Sequence, residues 1–346
     1  MGLPELTAVF LVAAIVVWYA GIQLSDATDV LSARLGLGEA LGGLILLAVA
    51  TNLPEIAITT TAALANHLGL AIGNILGGIA AQTVVLALID VVGLGNNDSL
   101  MYRAASLTLV LEATMVIAVL AVVVMGAQLP ASTNLRVEPA SLFIVAVWVV
   151  GLALIARARR GLPWQESGVA PGGQPKPRGH SRDVATKKMG AGRAAAVFTV
   201  GAVATLAGGV ALEQSGERIA GHIGMSGVVF GATILAAATA LPEVSTGLAS
   251  VKLGDYQLAV SDIFGGNAFL PVLFLLANLL SGHAVLPLAQ DTDIYLTALG
   301  ILLTTVYIAG LIFRPRRQLL WMGLDSFAVT VIYTLGIAGL LVVARG

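Results

Sequence analysis

Two stretches of this chain place a carboxylate directly after a proline in the middle of an apolar run. Thr51-Asn52-Leu53-Pro54-Glu55 and Thr239-Ala240-Leu241-Pro242-Glu243 lie 188 positions apart. A carboxylate in hydrocarbon is expensive and marks a functional site by default. A proline inside a membrane helix frees backbone carbonyls: Pro54 those near Ala50 and Thr51, Pro242 those near Ala238 and Thr239. Each motif therefore offers bare carbonyl oxygens one turn from a carboxylate. Two carboxylates, two or more carbonyls and a few waters make an all-oxygen shell suited to a hard divalent ion such as Ca2+. The two negative charges repel in a low-dielectric site unless a cation or protons neutralise them. Binding one cation is thereby coupled to a competing one.

The motifs belong to a longer duplication. Residues 43–78 and 231–266 align without a gap and share 13 of 36 residues, including A-T-x-L-P-E and a closing Gly-Gly. Downstream of the first motif, Asn74, Gly78 and Gln82 recur every four residues and share one helical face. Asp262, Gly266 and Leu270 hold the equivalent positions in the second copy. These two faces are expected to form the second wall of the site, and the paired glycines to allow close helix contact.

Composition requires a membrane to hold these motifs. The chain is 58% hydrophobic and 11% charged, with mean hydropathy +0.93, outside the soluble balance. Ten spans are expected over 3–24, 38–65, 69–93, 104–126, 140–157, 193–213, 225–250, 256–281, 292–313 and 319–344. The fold class is thus an all-α polytopic membrane protein. With the N-terminus outside, 15 of the 18 Lys and Arg fall on the inner side, and only Arg136, Arg218 and Arg345 fall outside. The positive-inside rule then places both termini out and the 158–192 loop in the cytoplasm of a cell-membrane protein. That loop carries PGGQPKPRGH, too rich in Gly and Pro to build a core. It divides the chain into halves at 1–157 and 193–346. Five spans per half is an odd number, so the second half enters the membrane inverted. The result is an inverted repeat with one midplane site exposed to either side in turn.

These residues carry a family resemblance. Leu-Pro-Glu in a broken helix followed by a G-N-x-x-G-type segment, twice and inverted, resembles the cation/calcium antiporter superfamily of sodium/calcium and proton/calcium exchangers. The resemblance implies that Glu55 and Glu243 hold Ca2+, assisted by Thr51 and Thr239. The family's serine before Leu-Pro-Glu is Asn52 in one copy and Ala240 in the other. The serine of its Gly-Ser is Gly78 and Gly266, and its late Asn or Asp is Gln82 and Leu270. The calcium-type core survives while several sodium-type ligands are replaced. Protons need no oxygen shell, since two facing acids can bind them directly. The expectation is therefore an antiporter exchanging Ca2+ for H+, with Na+/Ca2+ exchange as the alternative and a cation channel as a weaker one. The metal-site set is Glu55, Glu243, Thr51, Thr239, Asn52, Asn74, Gln82 and Asp262.

Other polar residues are expected to be peripheral. Glu112 has no evident basic partner in the sequence and can be a helix-contact acid or a proton relay. Asp90, Glu39 and Asp325 read as interfacial, and His67, His222 and His283 fall in outward loops without metal-ligand spacing. A channel has no need of two broken helices in inverted halves. No span as drawn contains a histidine, and no nucleophile motif or P-loop occurs, which argues against an enzyme or an ATP-driven pump. No bound cofactor, nucleic acid or obligatory protein partner is expected; the partners are inorganic cations and membrane lipid.

Overall fold

A computed structural model describes residues 1–35, 49–95, 98–130, 137–164 and 190–345. Residues 43–48 of the first repeat, Glu39, Arg136 and most of the 158–192 linker lie outside these residues. The chain is mostly helical. In order come α1 (Leu3–Leu35), α2 (Leu53–Leu64), α3 (Leu68–Ile89), α4 (Leu100–Ala104), α5 (Leu107–Ala127), α6 (Pro139–Arg160) and α7 (Ala191–Ile223). They are followed by α8 (Gly227–Phe230), α9 (Ala236–Thr239), α10 (Leu241–Lys252), α11 (Tyr256–Phe269), α12 (Leu273–Ser281), α13 (Asp291–Phe313) and α14 (Leu324–Val343). A single π turn, Gly231–Leu235, joins α8 to α9, and a second, Asp90–Leu94, extends α3. Among the described residues nine helical stretches are long and apolar enough to cross a membrane, and α2 is a shorter apolar helix. The protein is a multi-pass integral membrane protein.

The 188-residue interval recurs in the backbone. α1 and α7 begin and end at positions 188 apart, as do α2 and α10. The turn after α2 repeats bond for bond after α10. His67 N donates to Ala62 O at 2.8 Å and Asn66 N to Ala63 O at 3.3 Å; Asp255 N donates to Ser250 O and Gly254 N to Val251 O, both at 2.9 Å. This double closure ends a helix on a left-handed residue. Asn66 (φ 61°) and Gly254 (φ 75°) fill that place, with the residue types that tolerate it.

Packing is reciprocal between the halves. A Cβ added at Gly21 would lie 2.7 Å from Pro242 Cβ, and one at Gly209 would lie 3.0 Å from the Pro54 carbonyl oxygen. Each half thus packs its first long helix on the proline of the other half, as a two-fold relation requires. α1 and α7 also pack on one another along Gly201 and Gly208, against Leu24 and Val17. They share a small core with Phe10 and Phe230 (edge-to-face, 5.9 Å) that is separate from the main core around α3, α5, α11 and α13. At 33 residues each, these helices measure about 50 Å, longer than a hydrocarbon core of about 30 Å.

Several expectations are corrected. α7 continues to Ile223, ten residues beyond the expected span end at 213, so His222 is helical and bonds the Arg218 carbonyl at 2.8 Å. The last span starts at Leu324, after a hairpin pairing Gln318–Leu319 with Met322–Gly323. Asp90 and Asp325, expected near span ends, are buried within the protein. Asp90 accepts from Leu100 N and Gly323 N, both at 2.8 Å, and so ties α4 and the hairpin to the end of α3.

Candidate functional site

The two prolines interrupt their helices as expected. The chain is helical at 49–51, turns at Asn52 (φ −90°, ψ 15°), and resumes as α2 with Ile56 N donating to Asn52 O at 3.0 Å. In the second copy the ladder pauses after the bond from Ala240 N to Ala236 O (3.0 Å) and restarts with Val244 N to Ala240 O (3.2 Å). The carbonyls of Ala238 and Thr239 lie across that interruption, and Pro242 has no N–H to offer Ala238. Glu55 and Glu243 each sit in the first turn after the break, where exposed N–H groups favour negative charge.

The carboxylates face each other across the repeats. Glu55 is wholly buried and Glu243 is 3% exposed. The Glu243 carboxylate lies within electrostatic range of both Glu55 and Asp262. The Thr239 hydroxyl donates to the Ala236 carbonyl at 3.2 Å, within its own helix. Glu55 Oε2 and both oxygens of Glu243 have no hydrogen-bond partner. Buried oxygens in that condition are costly for the empty protein and available to a cation. Among the described residues no three His, Cys, Asp or Glu side chains form a metal cage. An ion here would need neutral oxygens beside the carboxylates.

The surrounding residues divide unequally. Gln82 Nε2 reaches Glu55 Oε1 at 3.5 Å. The absent side chain of Gly266 leaves space beside Asn52 and Gln82: an added Cβ would lie 3.2 Å from Asn52 Nδ2 and 3.6 Å from Gln82 Oε1. At the equivalent Gly78, the neighbour is the Leu270 methyl at 3.5 Å. One flank is lined by carboxamides and the other by hydrocarbon. Asn52 Nδ2 also lies 3.5 Å from Thr51 Oγ1. Asn74 is fully buried, with neither amide atom hydrogen-bonded. Asp262 Oδ2 accepts from Thr246 Oγ1 at 3.0 Å, and the same hydroxyl lies 3.2 Å from the Glu243 carbonyl.

Four features escaped the sequence reading. Thr246, which links Asp262 to Glu243, follows the acid by three residues, a spacing that could have been noticed. Asn267, directly after the closing Gly-Gly, donates to Ile79 O at 3.3 Å and Thr83 Oγ1 at 3.0 Å. Glu112 has a basic partner after all, since Arg159 Nη2 lies 2.9 Å from its Oε1. His67 likewise pairs with Glu213, at 2.8 Å.

A family model described as sodium/calcium exchanger protein matches residues 5–167 and 193–341. The chain belongs to this family. The inner membrane protein YrbG of Escherichia coli (strain K12) is 26% identical over 317 residues, covering 90% of each chain. The fold resembles that of an H+/Ca2+ exchanger, CAX, with TM-score 0.67 and 13% identity over 98% of this chain and 87% of that one. It also resembles the sodium-calcium exchanger NCX_Mj, with TM-score 0.60 and 15% identity over 97% of this chain and 99% of that one. Membership makes the protein a transporter of the exchanger type. The family match leaves out residues 1–4, 168–192 and 342–346, the middle stretch lying within the linker between the halves.

Proposed function

We propose that this exchanger moves Ca2+ across the membrane in return for H+, by alternating access to a site between Glu55 and Glu243. The observation that carries the reading is the pair of buried carboxylates, one from each repeat and within electrostatic range of each other, with partnerless oxygens. The carbonyls and hydroxyls of Thr51 and Thr239 would complete an oxygen shell for the divalent ion. When it leaves, protons on the same two acids remove the repulsion that would otherwise build up. Asp262, held by Thr246 beside Glu243, would serve as a third proton acceptor. Ca2+ and H+ then compete for the same oxygens, which is the condition for exchange.

The apolar flank supports protons over sodium. Ala240, Gly78 and Leu270 offer no side-chain oxygen where a sodium shell would be needed. The carboxamides of Asn52 and Gln82 around Gly266 favour a second reading, in which Na+ replaces H+. In the proposed topology both termini face outward and the 158–192 linker is cytoplasmic, matching the distribution of Lys and Arg. The deciding experiment is 45Ca2+ uptake into proteoliposomes under an imposed pH gradient with no Na+ present. Proton exchange predicts uptake. Uptake that appears only with a sodium gradient and ignores pH would establish the second reading instead.

A further inference from the structure

Behind the acids lies a second polar cluster, at the end of the bundle from which the linker leaves. Arg159, in the last turn of α6, places Nη2 2.9 Å from Glu112 Oε1 on α5 and 3.1 Å from Ser261 Oγ on α11. Glu112 is 1% exposed and Ser261 is 1% exposed. Ser261 immediately precedes Asp262, whose carboxylate takes the Thr246 hydroxyl that also contacts the Glu243 carbonyl. Two sets of polar contacts, joined through the backbone of the adjacent residues Ser261 and Asp262, therefore run from Arg159 to the helix turn that carries Glu243.

We propose that Arg159 is a positioning residue for the cation site, a latch that fixes where α11 presents Asp262 to Glu243. This rests on the reading of Glu55, Glu243 and Asp262 as the site. Two observations set the latch apart from an ordinary structural ion pair. It spans three helices, and only one of them carries a site residue. It is also half used: Arg159 Nε and Glu112 Oε2 are buried without partners. Arginine and a carboxylate can pair through two parallel bonds, so releasing Ser261 lets the same two side chains close on each other fully. α11 can then leave its position without stranding a buried charge, the step that otherwise makes a buried pair hard to break. A lysine could pair with Glu112 but has no planar fork for the second arrangement.

The test uses full-length protein in proteoliposomes, reading apparent KM for 45Ca2+ separately from maximal rate. Arg159→Gln is expected to raise KM about 10-fold, the lower end for loss of a group that orients a metal ligand. Ser261→Ala, which leaves the ion pair intact, should raise it by a smaller factor. In an Asp262→Asn background, Arg159→Gln should add nothing further, because its effect passes through that residue. Additive effects, or an unchanged KM in Ser261→Ala, would overturn the latch. A second arm is independent of transport. The chain has no cysteine, so labelling of Asp262→Cys by a water-soluble maleimide reports on α11 directly, and adding Arg159→Gln should change its rate several-fold. An equal rate overturns the latch whatever the flux shows. Absence of Ca2+ uptake by the wild-type protein counts against the exchange reading alone, and labelling then decides the latch.

Discussion

The side-chain amide of Asn267 donates to the carbonyl of Ile79 at 3.3 Å, and these two residues are 188 positions apart. That is the interval between the two Leu-Pro-Glu motifs, so Asn267 touches its own counterpart in the other repeat. Only residues beside the axis of a two-fold can do this. The same interval relates the contact of Gly266 with Gln82 to that of Gly78 with Leu270. The backbone frame of the site is thus symmetric, while its chemistry is polar on one flank and apolar on the other.

The reciprocal glycine contacts predict matched stability losses. Gly21→Val and Gly209→Val should each destabilise the protein by about 1–3 kcal/mol, the usual range for overpacking. Each added side chain meets the proline-containing segment of the opposite half, at 2.7 Å from Pro242 Cβ or 3.0 Å from Pro54 O. Thermal unfolding in detergent measures both. If one variant unfolds early and the other is neutral, the two contacts are not equivalent.

The proposed competition between Ca2+ and protons predicts a pH dependence of definite sign. As pH falls, protons occupy Glu55, Glu243 and Asp262, so the apparent KM for Ca2+ on the side that binds Ca2+ should rise. With Asp262→Asn one acceptor is lost, and the rise should become shallower. The measurement is initial-rate 45Ca2+ uptake at fixed membrane potential across a series of external pH values. A KM that is flat with pH in the wild-type protein would exclude shared oxygens.

Topology can be read with introduced cysteines in the cysteine-free chain. Cysteine in place of Lys176 should resist a membrane-impermeant maleimide applied to intact cells, and cysteine in place of Arg218 should react. Labelling of position 176 from outside would reverse the assignment.

Much of this was legible in the sequence because the strongest signals are local and doubled. A proline-glutamate pair in hydrocarbon has few explanations, and finding it twice at one interval singled out two acids that the fold buries within electrostatic range of each other, with Gln82 beside Glu55 and Asp262 near Glu243. The exact helix ends were less legible. α7 stays helical through Glu213 and Glu217, and Glu213 pairs with His67, a residue 146 positions away that hydropathy cannot see. The burial of Asp90 was not legible either: the backbone amides that satisfy it come from Leu100 and Gly323, at sequence distances no local pattern reports. Arg159 was hidden by its company, since Arg157 and Arg160 beside it made a topology-setting basic run the simplest reading. Only the packing of α6 against α5 and α11 separates it from them.

The most direct test is 45Ca2+ flux through Glu55→Gln and Glu243→Gln proteins in proteoliposomes, with folding checked by monodispersity and melting temperature. Glutamine keeps the shape of the side chain and removes the charge, and losing a charged ligand is expected to lower transport by about 100-fold or more, from roughly 3 kcal/mol of lost interaction. Both variants should be folded and both should be inactive. Near-normal flux in either one would contradict a divalent-cation site shared between the two repeats.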